Sequence, residues 1–345
     1  MARPDLDRSA IMASWPIYQG TSEPHDSIAE LPPAPNWRDF DRNGALLPPP
    51  AEAADPTTGR RLGGQGFLRP HTLDEIQMIN AALYLRRPLL VTGPPGAGKS
   101  TLPYHVAYEL RLGPVLRWPI TSRSTLRDGL YRYDAIGRLR DENLRVLRKL
   151  DPSDDADIGK HLSLGPLGTA LLPHERPRVL LIDEIDKCDI DLPNDLLNVF
   201  EEGQFTIDEL ARIETKQPIP VPTADSAGPP APITGGQVAC HAFPFIVLTS
   251  NGERDLPKAF LRRCLRLQVH APNDDQISAM IAAHLDPEAA DKAERHIHKF
   301  LTHSRRDDIA ADQLLNAVFL AMSAGESSSI DDVVDQLIKP LTGLG

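Results

Sequence analysis

Three short apolar runs punctuate the chain: Leu89-Leu90-Val91, Val179-Leu180-Leu181-Ile182 and Phe245-Ile246-Val247-Leu248. Unbroken runs of this length predict strands buried on both faces of a parallel sheet. Residues 115–120 and 265–269 read as two more strands. Elsewhere the spacing is helical. Thr72-Leu73-Asp74-Glu75 is a capping-box pattern, and Ile76, Ile79 and Leu83, with Met78 and Ala82, follow it with a 3.6-residue period up to Pro88. Residues 99–110 are predicted to form the helix after the first strand, with Pro103 removing an early backbone bond. Residues 191–202 form an amphipathic pattern of Leu192, Leu196, Val199 and Phe200, with Pro193 in its first turn and Gly203 at its end. From Pro272 onward the pattern is helical throughout, as in Leu314, Leu315, Val318 and Phe319.

Proline, 33 residues in all, marks what lies outside these elements: it is densest in the first 60 positions and the stretch 216–245. Residues 1–60, with Trp15, Trp37 and Phe40 as large apolar anchors, read equally as a partly disordered leader or as an arm that docks its aromatics. Residues 214–244 hold seven prolines and show no apolar period, which predicts a long irregular loop. Residues 117–149 carry nine basic and four acidic side chains, a local charge of +5, ahead of an acidic loop at 151–157. Such charge usually marks a solvated helical face; a contact surface for a partner or a pore is the alternative.

The chemistry sits at the ends of the apolar runs. Gly93-Pro94-Pro95-Gly96-Ala97-Gly98-Lys99-Ser100-Thr101 follows the first, a Gly-x-x-x-x-Gly-Lys-Ser phosphate loop between strand and helix. Glycines let backbone N–H groups turn inward on a polyphosphate, Lys99 can reach the β and γ phosphates, and Ser100 can hold Mg²⁺. The second run ends in Asp183-Glu184, where open α/β sheets bind ligands. Asp183 suits the Mg²⁺ shell, and Glu184 suits a general base that polarises the attacking water. The third ends in Thr249-Ser250-Asn251, which places Asn251 to bind the γ-phosphate or orient that water. A short helix then closes on Arg262-Arg263. His296, His298 and His303 do not share a helix face and lack further ligands, which argues against a metal site.

These motifs, with Ala259-Phe260-Leu261-Arg262-Arg263, resemble an AAA+ ATPase. Gly165-Pro166-Leu167-Gly168, Asp183-Glu184-Ile185-Asp186 and the run from Leu197 to Gln204 are similar to the MoxR branch. The resemblance spans about residues 70–320. It implies an α/β P-loop core with a parallel sheet in the order 5-1-4-3-2, followed by a helical lid. The domains implied are a proline-rich extension at 1–60, the nucleotide-binding domain at 61–270 and the lid at 271–345. Carried over by position, Lys99 and Ser100 belong to Walker A, Asp183 and Glu184 to Walker B, and Asn251 is sensor 1. Arg263 is the finger that reaches a neighbour's γ-phosphate, with Arg262 as runner-up. Arg306, or Arg305 beside it, is sensor 2. The stretch 130–175 holds the helix-2 insertion of the branch.

ATP and Mg²⁺ are the cofactors implied, and a homo-oligomeric ring, usually a hexamer, the assembly. The expected activity is ATP hydrolysis that remodels or matures a protein client, with a von Willebrand A-domain protein as the usual partner. A nucleotide-gated assembly switch in a bacterial conflict module is the alternative. A net charge of −11 and a pI near 5.5 argue against nucleic acid as the main partner. No run reaches the ~18 apolar residues of a membrane span. Three scattered cysteines and an acidic start without an apolar core fit a cytoplasmic protein rather than a secreted one.

Overall fold

The computed structural model describes residues 15–21, 23–40, 45–48, 71–148, 155–214, 217–225 and 228–270, with Asn316 and Leu320. Helix α1, Leu73–Leu85, opens on a capping box in which Thr72 Oγ1 accepts the Glu75 N–H and the Glu75 carboxylate accepts the Thr72 N–H. It stops at Arg86 in the left-handed region, φ 52°. Strand β1, Leu89–Thr92, leads through the glycine-rich turn into α2, Leu102–Glu109. This helix begins later than its sequence predicts, so Pro103 falls in its first turn and removes no internal bond.

Strand β2, Leu116–Pro119, leads into the short helix α3, Leu126–Leu130. Strand β3, Tyr131–Tyr133, pairs antiparallel with β4, Leu162–Leu164, and α4, Ala135–Leu147, lies between them in sequence. Helix α4 buries none of its residues, and Ile136, Leu139, Val146 and Leu147 are exposed on it. After α5, Pro166–Ala170, come β5, Val179–Asp183, and α6, Asp191–Glu202, which is closed by Gly203 in the left-handed region.

The proline-rich stretch is not an irregular loop. Between β6, Gln204–Thr206, and β9, Gln237–Ala239, which pair with each other, the chain forms α7, Asp208–Ala211, and the hairpin of β7, Ile219–Val221, with β8, Ala231–Ile233. Pro220 and Pro232 face each other on its exposed side, while Ile219, Val221, Ala231 and Ile233 are buried. A two-stranded ribbon tolerates proline where its missing N–H has no strand to serve. Strand β10, Phe245–Ser250, helix α8, Lys258–Arg263, and strand β11, Leu265–Gln268, complete the described chain.

The central sheet has five parallel strands in the order β11-β1-β10-β5-β2. Successive side chains leave a strand on opposite faces, so each run feeds two cores. Leu90, Leu180, Ile182, Ile246 and Leu248 face one, with Phe200 of α6 and Phe260 of α8. Leu89, Val91, Val179, Leu181 and Val247 face the other, with Ile79 of α1 and Tyr104 and Val106 of α2.

Residues 15–40 pack on this body. The Asn80 side chain accepts the Tyr18 N–H and donates to the Tyr18 carbonyl, and buried Glu109 accepts the N–H groups of Gln19 and Gly20. Phe40 stacks on Phe243 and Trp15 meets Tyr84 edge-on, whereas Trp37 stays exposed. Apart from Asn316 and Leu320, the expected helices of 271–345 lie outside the described residues, as do His296, His298 and His303.

Gly165 and Gly168 fix how α5 sits on α3. A Cβ on Gly165 would meet the Gly129 carbonyl oxygen at 2.4 Å, and one on Gly168 would meet that of Leu130 at 1.9 Å. Gly168→Ala should therefore force two backbones apart and lower stability by about 3 kcal/mol. Urea unfolding measures this, and an unchanged midpoint would mean that the helices separate freely.

Candidate active site

The C-terminal ends of β1, β5 and β10, neighbours in a parallel sheet, deliver the candidate residues to one edge. The turn after β1 holds Gly93, Gly96 and Gly98 at φ 155°, 74° and 81°, a region side chains avoid. Gly93 has a second constraint, since a Cβ there would lie 2.2 Å from the Val269 carbonyl oxygen. Pro94, Pro95 and Ala97 complete the turn, and Thr101 Oγ1 donates to the Gly98 carbonyl at 2.8 Å. Lys99 is buried inside it, with Nζ donating to the carbonyl oxygens of Gly93 at 2.8 Å and Pro94 at 2.7 Å. Burial lowers its pKa, against the pull of Asp186, Asp183 and Glu184.

Asp183 is the hub. Its Oδ1 accepts the Ser100 hydroxyl at 2.7 Å and the Thr249 hydroxyl at 2.9 Å, and its Oδ2 accepts Arg117 Nη2 at 2.8 Å. Burial favours the neutral acid, but the hydrogen bonds of Ser100, Arg117 and Thr249 outweigh it and hold the pKa below the usual carboxylate value. Glu184 follows at φ 62°, a left-handed conformation that costs about 1 kcal/mol outside glycine. Its N–H donates to Thr249 Oγ1 at 2.8 Å, which anchors that backbone. Its carboxylate pairs with Lys187 Nζ at 2.8 Å.

Asn251 is attached through its backbone: its N–H and that of Glu253 donate to Asp186 Oδ2 at 2.9 and 3.0 Å. Asp186 is 2% exposed, and its Oδ1 has no hydrogen-bond partner among the described residues. The structure thus brings Lys99, Ser100, Asp183 and Glu184 together and links Asn251 to the same edge through Asp186. Arg263 lies apart at the end of α8, with Nε donating to Glu201 Oε1 at 2.8 Å. Arg305 and Arg306 lie outside the described residues.

Three contributors went unassigned in the sequence. Thr249 joins Asp183 to Glu184, and its signal was its place at the end of an apolar run. Asp186 clasps the turn after β10 to β5. Arg117 was counted with the solvated basic stretch, but it lies on β2 against Asp183. Among the described residues, no helix is long and apolar enough to cross a membrane.

A glycine-rich turn that buries a lysine, with an acid-ended strand bonded to the serine of that turn, defines a P-loop nucleotide-binding α/β domain. The family model for the AAA domain, dynein-related subfamily, matches residues 88–264, just over half of the chain. The chain belongs to that family. No curated protein matches it. Similar solved structures include NtrX from Brucella abortus in complex with ATP, at 18% identity and TM-score 0.37, covering 73% of this chain and 51% of that one. NtrX in complex with ADP gives 16% identity and TM-score 0.41, with 84% and 59% covered. C. elegans PCH-2 gives 15% identity and TM-score 0.35, with 77% and 64% covered. The chain therefore spans between half and two thirds of the length of these structures.

Proposed function

We propose that this chain is an ATPase, a MoxR-like remodeller that works as a ring and remodels or matures a protein client or a von Willebrand A-domain partner through cycles of hydrolysis. The observation that carries the catalytic part is the hydrogen-bonded line from Ser100 through Asp183 and Thr249 to Glu184. It ties the phosphate loop, the acidic strand and the sensor strand into one unit. In this reading the turn of residues 93–101 cradles the phosphates with the backbone N–H groups of its residues other than Pro94 and Pro95, and Lys99 pairs with the β and γ groups. The hard oxygen donors Ser100 Oγ and Asp183 suit Mg²⁺, which when bound neutralises phosphate charge. Glu184 takes a proton from the attacking water, and Asn251 orients that water. Arg263 acts on the neighbouring subunit's nucleotide and Arg306 on its own. Residues 1–60, 61–270 and 271–345 then act as extension, nucleotide-binding domain and helical lid.

The test of the site is Lys99→Ala. A charge-assisted contact contributes about 1.5–3 kcal/mol, so losing contacts to two phosphates should weaken ATP binding ~100-fold or more. The alanine leaves the sheet and both cores intact. Equilibrium binding of a fluorescent ATP analogue, with circular dichroism as the fold control, measures it. Unchanged affinity would remove the phosphate loop from the proposal.

A further inference from the structure

We propose that Glu201 is a positioning residue for Arg263, and that the N-terminal segment sets Glu201 through Arg38. This rests on the reading of Arg263 as the arginine that meets a neighbour's γ-phosphate.

The Arg263 guanidinium is held at two points by its own subunit. Nε donates to Glu201 Oε1 at 2.8 Å and Nη1 to the Ala259 carbonyl at 3.3 Å, while Nη2 makes no hydrogen bond among the described residues. The guanidinium of Arg262, next to it, makes none at all among those residues. The backbone beneath is fixed too, since Arg87 donates through Nη2 to the Arg262 carbonyl at 2.5 Å and through Nε to that of Arg263 at 3.1 Å.

The second oxygen of Glu201 is also taken: Oε2 lies 3.4 Å from Arg38 Nη1. Arg38 is 6% exposed, and it donates through Nε and Nη2 to the Arg86 carbonyl at 3.1 and 2.6 Å. Its guanidinium lies 4.9 Å from the Phe40 ring centroid and 4.8 Å from that of Phe243. It is a fixed positive charge under a half-exposed carboxylate. Arg38 lies outside the stretch 88–264 that the family model matches, so the N-terminal segment adds this contact to the family core.

As a stabilising ion pair the Glu201–Arg263 contact is weak, because both side chains are nearly half exposed, at 45% and 43%. Its effect is orientation. A free arginine samples many rotamers, and gripping Nε and Nη1 restricts the side chain before any partner arrives. The ungripped Nη2 remains for an anionic oxygen.

The experiment uses the full chain at concentrations where sedimentation shows assembly to be complete. Steady-state ATP hydrolysis is compared for wild type, Glu201→Ala, Glu201→Gln, Arg263→Ala, the Glu201→Ala/Arg263→Ala double variant and Arg38→Gln. Glu201→Ala should lower kcat ~10-fold, within the range that misplacing a reacting group costs, with KM for ATP and assembly unchanged. Glu201→Gln keeps an oxygen for Arg263 Nε and should recover most of that loss. In the Arg263→Ala background Glu201→Ala should cost nothing further, which a merely structural role would not give. Arg38→Gln should lower kcat less than Glu201→Ala does; if it fails to fold, the Glu201 variants alone decide. Wild-type turnover of Glu201→Ala beside an inactive Arg263→Ala overturns the positioning role and leaves the finger reading standing. Equal losses in both backgrounds, or lost assembly, also overturn it. Full activity of Arg263→Ala instead removes the finger reading itself.

Discussion

Glu184→Gln protein should bind ATP as the wild type does and hydrolyse it ~10²–10⁴-fold more slowly, a barrier increase of about 3–5 kcal/mol. The amide keeps the size of the carboxylate and loses its basicity. The backbone that carries it should not move, because its strained φ of 62° is held by the N–H to Thr249 Oγ1 bond, which the substitution leaves alone. The contact with Lys187 should weaken without vanishing, since an amide oxygen still accepts from Nζ. As the proposed base, Glu184 would exchange Lys187 for water. Binding of a fluorescent ATP analogue and release of phosphate, measured on the same preparation, separate the two steps. On the proposed ring mechanism the variant should also hold its oligomer, and any client, in the ATP-bound form longer than the wild type does. Wild-type turnover would make Glu184 a structural residue and leave the water to another group.

The parts legible in the sequence are those where one physical demand dominates. Strands β1, β5 and β10 are buried on both faces, so they appear as unbroken apolar runs. The phosphate loop shows because three glycines and a lysine must coincide. Where two demands compete, the pattern blurs. Ile219 and Val221, and Ala231 and Ile233, alternate with prolines on the opposite face, so the hairpin of β7 and β8 carries a strand period disguised by loop residues. Pro103 reads as the loss of an early helix bond because the turn from Gly98 to Thr101 delays the helix start, which local propensity does not reveal. Arg117 looked like one solvated charge among nine, and only the pairing of β2 with β5 sets it against Asp183. Contacts between residues far apart in sequence left no trace: Arg38 and Glu201 lie 163 positions apart.

Mixing two inactive variants should restore activity. Arg263 ends α8, just before the edge strand β11 in sequence, and its partners among the described residues are Glu201 and the Ala259 carbonyl rather than Asp183 or Lys99. As a surface ion pair it contributes at most ~1 kcal/mol of stability, and its loss should barely shift unfolding. Facing a neighbour's γ-phosphate it stabilises transition-state charge and supplies roughly 10³-fold in rate. Arg263→Ala should therefore unfold like the wild type and hydrolyse ~10³-fold more slowly. Lys99→Ala should be inactive for a different reason, since it should not hold ATP. In a mixed ring some interfaces pair an intact Lys99 on one subunit with an intact Arg263 on the next, and those sites are complete. Hydrolysis should rise with the fraction of such interfaces and fall on dilution, because on the proposed trans reading a monomer lacks a complete site. Titrating one variant into the other at fixed total protein, with subunit exchange followed by fluorescence transfer, measures both. A ring that exchanges subunits and stays inactive would require every site to fire together. Wild-type hydrolysis by Arg263→Ala alone would move the finger to Arg262, whose guanidinium is uncommitted among the described residues, or end the assignment.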